Sequence, residues 1–296
     1  MGLGRFDART DSGSTRWPHR TDVSDSEDEK LETAVGWLRG ADGLLITAGA
    51  GMGVDSGLSD FRGQEGFWRA YPALRHQGLS FEAMADRARF AEHPKLAWGF
   101  YGHRLRLYRD TGPHEGFAIL RTWADRMSHG AFVFTSNVDG QFQEAGFPEQ
   151  RVHECRGSIH ALQCLETCTD DTWSATDFYP LVNETTSELE SPMPRCPRCG
   201  ALARPNILMF GDWCWVGLPY EKQQQRLAAW ISSVSKLVVV EVGAGRALPT
   251  VRRFSERFSA RRLIRINLRE SNTKPSHGIG LEGGAAAMLK MLDAQL

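Results

Sequence analysis

The sequence predicts an α/β protein with a doubly wound, Rossmann-like parallel sheet and a small metal-binding module inserted into it. Four short apolar runs alternate with longer helical or polar stretches, an order typical of parallel strands joined by crossover helices. Two close pairs of cysteines and a proline-rich stretch interrupt this alternation between the second and third runs. The interruption indicates a separate module that a metal ion would stabilise.

The first predicted helix precedes the first strand. Leu31, Val35 and Leu38 are spaced for one helical face, and Gly40 stands where the helix would end. The runs that follow are apolar enough to be buried on both faces, as strands of a parallel sheet are. The predicted strands are residues 43–47, 131–137, 236–243 and 262–268.

The chain divides into an arm and a globular domain. Residues 1–27 are polar and lack sustained periodicity, which predicts a mobile arm. The domain is expected to span residues 28–296, with the inserted module at about residues 152–210. These boundaries follow from the composition of each segment, and the sequence predicts no oligomeric state.

Composition narrows the function. The 296 residues are 41% hydrophobic, enough to form a sizeable core. Thirty-five basic and 36 acidic residues give a formal charge of -1, so no global field favours nucleic acid or an anionic membrane. No apolar run reaches the roughly 20 residues that span a bilayer, and no apolar signal segment opens the chain. We therefore expect a cytoplasmic protein.

The first strand runs into a glycine cluster, "ITAGAGMGVDSGLSDFRG", at residues 46–63. Gly49 and Gly51 would let backbone amides approach a pyrophosphate, and the N-terminus of a following helix would add a favourable dipole. The spacing differs from the G-x-G-x-x-G dinucleotide fingerprint, so an ordinary connection after a strand fits the glycines equally well.

The full motif resembles the first signature of the sirtuins, the NAD-dependent protein deacylases, which runs G-A-G-x-S-x-x-S-G-I-P-D-F-R. Gly53 and Ser59 replace its serine and proline. The resemblance, to bacterial-type sirtuins, covers about residues 31–290 and implies that NAD binds here. The residues that would contact NAD are Gly49, Ala50, Gly51, Asp60, Phe61 and Arg62.

Further sirtuin motifs follow in the family's order. "TSNVDGQFQEAG" resembles T-Q-N-x-D-G-L-H-x-x-A-G, with Ser136 and Phe142 replacing glutamine and histidine. The resemblance places Asn137 and Asp139 beside nicotinamide and its ribose, where fixed polar groups stabilise the charge that develops as the glycosidic bond breaks. Further NAD contacts are implied for Ser136, Gly243, Ala244 and Asn267.

The cysteine pairs are Cys164 with Cys168 and Cys196 with Cys199. Four thiolates would satisfy tetrahedral zinc without leaving an open position, so the metal would be structural. Iron-sulfur ligation and buried free thiols also fit the residues alone. The sirtuin resemblance favours zinc.

Two segments indicate a substrate. "RPNILMFGD" resembles the sirtuin edge that pairs with an extended acylated lysine peptide, so Phe210 and Gly211 are expected to bind the substrate. Tyr101 and Arg104 have the Y-x-x-R spacing of sirtuins that remove succinyl or malonyl groups. A guanidinium binds a carboxylate bidentately, although a surface helix with an aromatic anchor has the same pattern.

The stretch "VHECRGSIHALQC" contains the main departure from the family. Alignment on "GS" and Cys164 places Arg156 at the catalytic histidine position and leaves His153 and His160 out of register. In the family mechanism the acyl oxygen attacks the ribose carbon as nicotinamide leaves, and the histidine then takes a proton from a ribose hydroxyl. A guanidinium stays protonated and is a poor base. It could bind a phosphate or an acyl carboxylate, but its charge opposes the charge that develops on ribose.

Three functions fit this sequence. The leading hypothesis is NAD-dependent removal of acetyl, or of succinyl or malonyl, groups from protein lysine, releasing nicotinamide and O-acyl-ADP-ribose, with impairment at Arg156. The second is an ADP-ribosyltransferase or NAD hydrolase, which needs glycosidic cleavage but no later deprotonation. The third is an inactive NAD-binding sensor or scaffold.

Overall fold

The computed structural model of the protein describes residues 26–59, 67–68, 71–76, 78–258, 262–274 and 276–296. Its strands, in chain order, are β1 (Gly43–Ala48), β2 (Ala131–Thr135), β3 (Val152–Glu154), β4 (Gly157–Cys164), β5 (Trp173–Ser174), β6 (Ala203–Ile207), β7 (Leu237–Val242), β8 (Leu263–Asn267) and β9 (Gly278–Glu282). Six of them form one parallel sheet in the order β3-β2-β1-β7-β8-β9. The predicted doubly wound parallel sheet is confirmed.

The four predicted strands are β1, β2, β7 and β8, and every residue in them is buried. A continuous apolar run is what a parallel strand covered on both faces requires. The sequence analysis missed β3 and β9, which lie at the two edges of the sheet. β3 has only three residues, and β9 contains glycine and is partly exposed, so neither shows such a run.

The described α-helices are α1 (Glu27–Arg39), α2 (Pro72–His76), α3 (Phe81–Met84), α4 (Ala88–Glu92), α5 (Pro94–Asp110), α6 (Glu115–Asp125), α7 (Gln141–Glu144), α8 (Leu218–Ser233), α9 (Thr250–Glu256) and α10 (Ala285–Asp293). α1, α6 and α10 pack on one face of the large sheet, around buried Leu38, Leu120 and Leu289. α8 and α9 pack on the other face, through Leu227 and Val251. Helices on both faces bury the apolar runs described above.

The first helix matches its prediction. Leu31, Val35 and Leu38 are buried on one face of α1, and Gly40 is its C-cap. Ser26 and Glu29 form a reciprocal capping box at the other end, which satisfies two backbone amides. Residues 1–25 lie outside the described residues, so the arm stays a prediction.

A smaller unit stands beside the carboxyl ends of the large sheet. β4 pairs antiparallel with β5 and β6, and these three strands carry both cysteine pairs with their connections. The segment α2–α5 packs on them, and Trp98 Nε1 of α5 donates a hydrogen bond to the Ala203 carbonyl at 2.9 Å. Two chain segments therefore build the small unit, whereas the sequence analysis assigned only residues 152–210. The first residues of the predicted module form β3, which belongs to the large sheet through its pairing with β2.

Among the described residues, every helix is too short or too polar to cross a membrane.

Candidate functional site

Three glycines bring the loops after β1 and β7 into direct backbone contact. Gly49 N–H donates to the Val242 carbonyl and Gly51 N–H to the Gly243 carbonyl, each at 3.0 Å. A Cβ on Gly51 would lie 2.7 Å from Gly243 Cα, and one on Gly243 would lie 2.3 Å from the Gly51 carbonyl carbon. Gly243 also has a φ of +64°, which favours glycine. The two loops therefore cross without room for a side chain, and this contact between Gly49, Gly51 and Gly243 is the glycine crossing.

The crossing changes the role expected for the glycine amides. The hydrogens of Gly49 and Gly51 bond to β7 and its loop, while the Ala50 amide has no partner among the described residues. Two short 3₁₀ turns, Ala50–Met52 and Val54–Ser56, follow the loop where a helix N-terminus was expected. The group that this loop offers to an anion is therefore the Ala50 N–H.

Asn137 is held against the same loop. Its Nδ2 donates to the Gly49 carbonyl at 3.1 Å, and its N–H donates to Thr135 Oγ1 at 3.0 Å. The Ser136 amide donates to the Ala48 carbonyl at 3.1 Å. The loops after β1, β2 and β7 thus form one bonded edge, with the Asn137 side-chain oxygen accepting no hydrogen bond from a described residue.

Asp139 and Glu154 are buried carboxyl groups near this edge. Burial raises the pKa of Asp139 from 3.8 to about 6, against a hydrogen bond from the Gln141 amide at 3.0 Å. Burial, with a smaller contribution from the charge of Asp139, raises the pKa of Glu154 from 4.5 to about 7. Glu154 Oε1 accepts no hydrogen bond from a described residue. Ionising both groups is therefore unfavourable.

His160 fixes the turn that contains Asp139. Its Nε2 lies 2.8 Å from the Asp139 carbonyl, and because a carbonyl only accepts, Nε2 carries the proton. Gly140 has a φ of +79°, and a Cβ there would lie 2.9 Å from the His160 ring. Burial lowers the pKa of His160. His160 therefore positions the turn instead of replacing the missing base.

Arg156 lies between the Thr250 side chain and the backbone of Leu208. Its Nη2 donates to Thr250 Oγ1 at 3.4 Å, and its carbonyl accepts from the Leu208 amide at 2.9 Å. His153 packs edge-on against Phe134, and burial lowers its pKa to about 4. Neither arrangement supplies a base beside Asp139.

The expected acyl-binding pair lies inside the small unit. Tyr101 and Arg104 are both buried, and the Arg104 guanidinium donates to the Tyr108 hydroxyl at 2.6 and 2.9 Å. Burial raises the pKa of Tyr101 to about 12, so the phenol stays protonated. The charge of Arg104 lowers the pKa of Asp139, so the guanidinium acts on this carboxyl group. The pair is therefore interior, and the surface-helix alternative is wrong.

The expected peptide edge is anchored at both ends. A buried ion pair joins Arg204 Nη1 to Asp212 at 2.7 Å, and the Phe210 amide donates to the Ala85 carbonyl at 2.9 Å. Gly211 has a φ of +61°. Phe210 is 39% exposed and Trp213 is 97% exposed. Because the Phe210 N–H is engaged, a bound peptide has to use other backbone groups of this edge.

Asn267 holds the loop after β7. Its Nδ2 donates to the Ala244 carbonyl at 2.9 Å, and its Oδ1 accepts from the amides of Arg269 and Glu270. Arg252 Nε, which the sequence analysis missed, donates to the same Ala244 carbonyl at 3.0 Å. Asn267 therefore joins the loops that follow β7 and β8. Asp60, Phe61 and Arg62 lie outside the described residues.

The four cysteines come together as predicted. Cys164 Sγ lies 3.7 Å from Cys199 Sγ, Cys168 Sγ lies 3.6 Å from Cys196 Sγ, and all four sulfurs lie within 4.8 Å of one another. Tetrahedral zinc with Zn–S bonds of about 2.3 Å places its sulfurs about 3.8 Å apart. The donor set and its spacing therefore fit structural zinc. Four thiolates fill its tetrahedral coordination and leave no position open.

Comparisons with known proteins agree with this arrangement. The Sir2 family model matches residues 49–242, from the first glycine loop to the end of β7. The chain belongs to the Sir2 family. An ADP-ribose complex of a mutant Sir2 homologue shares the fold, with a TM-score of 0.69 at 22% identity, over 89% of this chain and 95% of that one.

Two curated relatives carry different activities in their names. A protein of Fusarium oxysporum f. sp. cubense, a probable bifunctional ADP-ribose hydrolase/ADP-ribosyltransferase, is 30% identical over 78% of this chain. This chain spans 40% of that protein's length. An NAD-dependent protein deacylase of Pyrococcus furiosus is 28% identical over 84% of this chain and 90% of its own length.

Replacement of Gly243 by alanine tests the glycine crossing. We expect Gly243→Ala to lower the free energy of unfolding by about 3 kcal/mol or more, because the new methyl meets backbone atoms. Gly130 is a matched control, since its φ is +63° and a Cβ there meets nothing within 4 Å. Gly130→Ala should cost about 1 to 2 kcal/mol from backbone strain alone. Urea denaturation measures both, and equal losses would contradict the crossing.

The carboxyl group of Glu154 predicts a pH-dependent stability. Because folding raises its pKa, its contribution is most favourable below 4.5 and is lost as pH rises through about 7. We expect Glu154 to lower the free energy of unfolding by up to about 3 kcal/mol over this window, and Glu154→Gln to remove this part of the fall while leaving the part that Asp139 contributes below its pKa of about 6. Exposed Glu92→Gln, which is not among the charges that act on Glu154, is the control. A parent protein with no fall, or an unchanged fall in Glu154→Gln, would show that Glu154 is not the group responsible.

Proposed function

We propose that the protein removes acyl groups from protein lysine in an NAD-dependent reaction that releases nicotinamide and O-acyl-ADP-ribose, and that Arg156 slows its later steps. Membership of the Sir2 family and similarity to the Pyrococcus deacylase support this proposal. One observation carries it. The glycine crossing, Asn137 and Asp139 lie together at the carboxyl ends of neighbouring parallel strands, where α/β proteins bind nucleotides.

The polar groups of this edge suit cleavage of the bond between nicotinamide and ribose. That cleavage develops positive charge on ribose, and a buried carboxylate in a region of low dielectric stabilises it strongly. Asp139 can supply this carboxylate above its pKa of about 6. The Ala50 N–H is available for a phosphate oxygen. The first step therefore needs no base at residue 156.

The later steps do need a base. A ribose hydroxyl has to lose a proton before it attacks the acylated intermediate, and general base catalysis of such a transfer contributes about 10²- to 10⁴-fold. A guanidinium is a poor base, and that of Arg156 donates to Thr250, while His160 Nε2 donates to the Asp139 carbonyl. We therefore expect cleavage of NAD to outpace deacylation.

Zinc and the acyl group have separate places in this proposal. When bound to the four cysteines, zinc would hold the connections of β4 and β6 together and would take no part in the reaction. The buried pair Tyr101 and Arg104 favours an acyl chain that ends in a carboxylate, because a guanidinium in a low dielectric binds an anion strongly. Succinyl-lysine should therefore react better than acetyl-lysine.

ADP-ribosyl transfer to another acceptor is the second candidate. Two observations favour it. Arg156 removes the base that only deacylation requires, and the Fusarium relative is named as an ADP-ribosyltransferase. In this case NAD cleavage would proceed without acylated lysine, and ADP-ribose would appear on a protein or in solution.

Placing histidine at residue 156 tests the proposal. We expect Arg156→His to raise the rate of acyl removal from a succinyl- or acetyl-lysine peptide by about a hundredfold, with a smaller change in nicotinamide release. Arg156→Gln removes the charge without supplying a base and separates the two effects. Nicotinamide release and peptide mass are followed in the same reaction.

The outcomes separate the two functions. Acyl removal that rises only in Arg156→His supports a slowed deacylase. Nicotinamide release by the parent chain without acyl peptide, together with ADP-ribosylated protein, supports transfer to another acceptor. Acyl removal at equal rates in the parent chain and Arg156→His would contradict the role given to Arg156.

A further inference from the structure

A cleft lies beside Arg156 on the face of the sheet that α8 and α9 cover. It has a volume of about 400 Å³ and opens between the N-terminal part of α8 and the whole length of α9. Its floor is the end of β2 and β3, at Phe134 and His153, and Thr250 stands on its wall. Thr250 Oγ1 accepts the hydrogen bond from Arg156, so the cleft adjoins the site of catalysis.

Two buried polar atoms of the cleft have no partner among the described residues. They are His153 Nδ1 and Trp215 Nε1. His153 is 6% exposed, and an indole N–H can only donate a hydrogen bond. An unpartnered buried donor costs about 1 to 3 kcal/mol, and a ligand oxygen would remove that cost. Both residues line the cleft, so its lining contains polar groups that a ligand atom could pair with.

The charge of the cleft favours an anion. Arg253 and Arg257 project from α9 into the lining, and neither forms an ion pair with a described residue. Glu221 is the carboxylate of the lining, and it is exposed on α8. Arg226 adds a positive field at His153, where it lowers the pKa. The net charge of the groups around the cleft is therefore positive.

The aromatic walls of the cleft and its Cys155 thiol favour binding of a ligand over a covalent reaction. Trp215 stacks on Tyr220 with ring centroids 5.0 Å apart, so the wall around the free indole donor is flat and rigid. Burial raises the pKa of the Cys155 thiol to about 12, so this side chain stays neutral and is not a nucleophile. The cleft is suited to binding and not to a covalent step.

We propose that this cleft binds an acidic side chain of the protein substrate, a few residues from the modified lysine, between Trp215 and the guanidinium groups of Arg253 and Arg257. This inference rests on the proposed function. The expected peptide edge, residues 204–212, ends three residues before Trp215 in the chain, so this edge leads towards the wall of the cleft that Trp215 forms. An extended peptide advances about 3.3 Å per residue, which brings flanking side chains within reach.

A glutamate scan tests the inference. Acyl-lysine peptides carry a single glutamate at each of the four residues on either side of lysine, in an otherwise neutral sequence. We expect one location to lower the Kd and the KM about tenfold, as a hydrogen-bonded charge pair does. The double variant Arg253→Ala with Arg257→Ala should lose this preference. Lys222→Ala, an exposed cation on α8 outside the lining, should keep it.

Charge reversal provides a gain of function. Arg253→Glu with Arg257→Glu should transfer the preference from glutamate to lysine at the same peptide location. Thermal unfolding of each variant, which should match the parent because both arginines are exposed, shows that the fold is kept. A flat scan, or a glutamate preference that persists in the double alanine variant, would overturn the inference. Binding of free benzoate to the cleft with a flat scan would assign it to a small anion and overturn it too.

The readouts separate this inference from the proposed function. Anisotropy of labelled peptides measures binding without NAD, and nicotinamide release measures turnover. A glutamate preference in binding with no peptide-dependent turnover supports the cleft and contradicts deacylation. Peptide-dependent turnover with a flat scan supports deacylation and contradicts the cleft.

Discussion

The backbone contact between the loops after β1 and β7 is the constraint on which the site depends. Gly51 and Gly243 approach so closely that neither tolerates a Cβ, and this approach lets Gly49 present its carbonyl to Asn137. Asn267 and Arg252 bond the next carbonyl of the same loop, at Ala244. Groups from five separate stretches of chain are thereby fixed at one edge of the sheet. A fixed polar edge stabilises developing charge without reorganisation, which is the main physical requirement for breaking a glycosidic bond.

In the proposed function, electrostatics at this edge divide the reaction into two parts, cleavage of NAD and the later proton transfer. Burial raises the pKa of Asp139 to about 6, and above that pH its carboxylate can oppose the positive charge of the cleavage step. A guanidinium is a poor base for the proton transfer, and that of Arg156 donates to Thr250. His160 Nε2 donates to the Asp139 carbonyl, and His153 lines the cleft between α8 and α9. Under this proposal the same arginine slows deacylation, and its hydrogen bond to Thr250 links the edge to that cleft.

Much of the fold could be predicted from the sequence. The buried central strands are continuous apolar runs, and the spacing of the two cysteine pairs, taken with the sirtuin resemblance, predicts the closed metal site. The edge strands β3 and β9 could not be predicted, because an edge strand needs neither length nor an apolar run. The packing of α5 on β6 could not be predicted either, because it depends on contacts between residues distant in sequence, such as Trp98 and Ala203, which are 105 residues apart. At the site, residue types could be predicted but their bonds could not: the glycine amides face β7, and His160 serves the Asp139 turn.

The most direct test is the exchange of labelled nicotinamide into NAD by the parent chain, with an acyl-lysine peptide present. If Arg156 permits cleavage but slows the later proton transfer, the intermediate persists and free nicotinamide can return to it. We expect label to enter NAD faster than the peptide loses its acyl group. Loss of the acyl group at the same rate as label entry would contradict a separation between NAD cleavage and the later proton transfer. The absence of both label entry and nicotinamide release would contradict cleavage of NAD at this site.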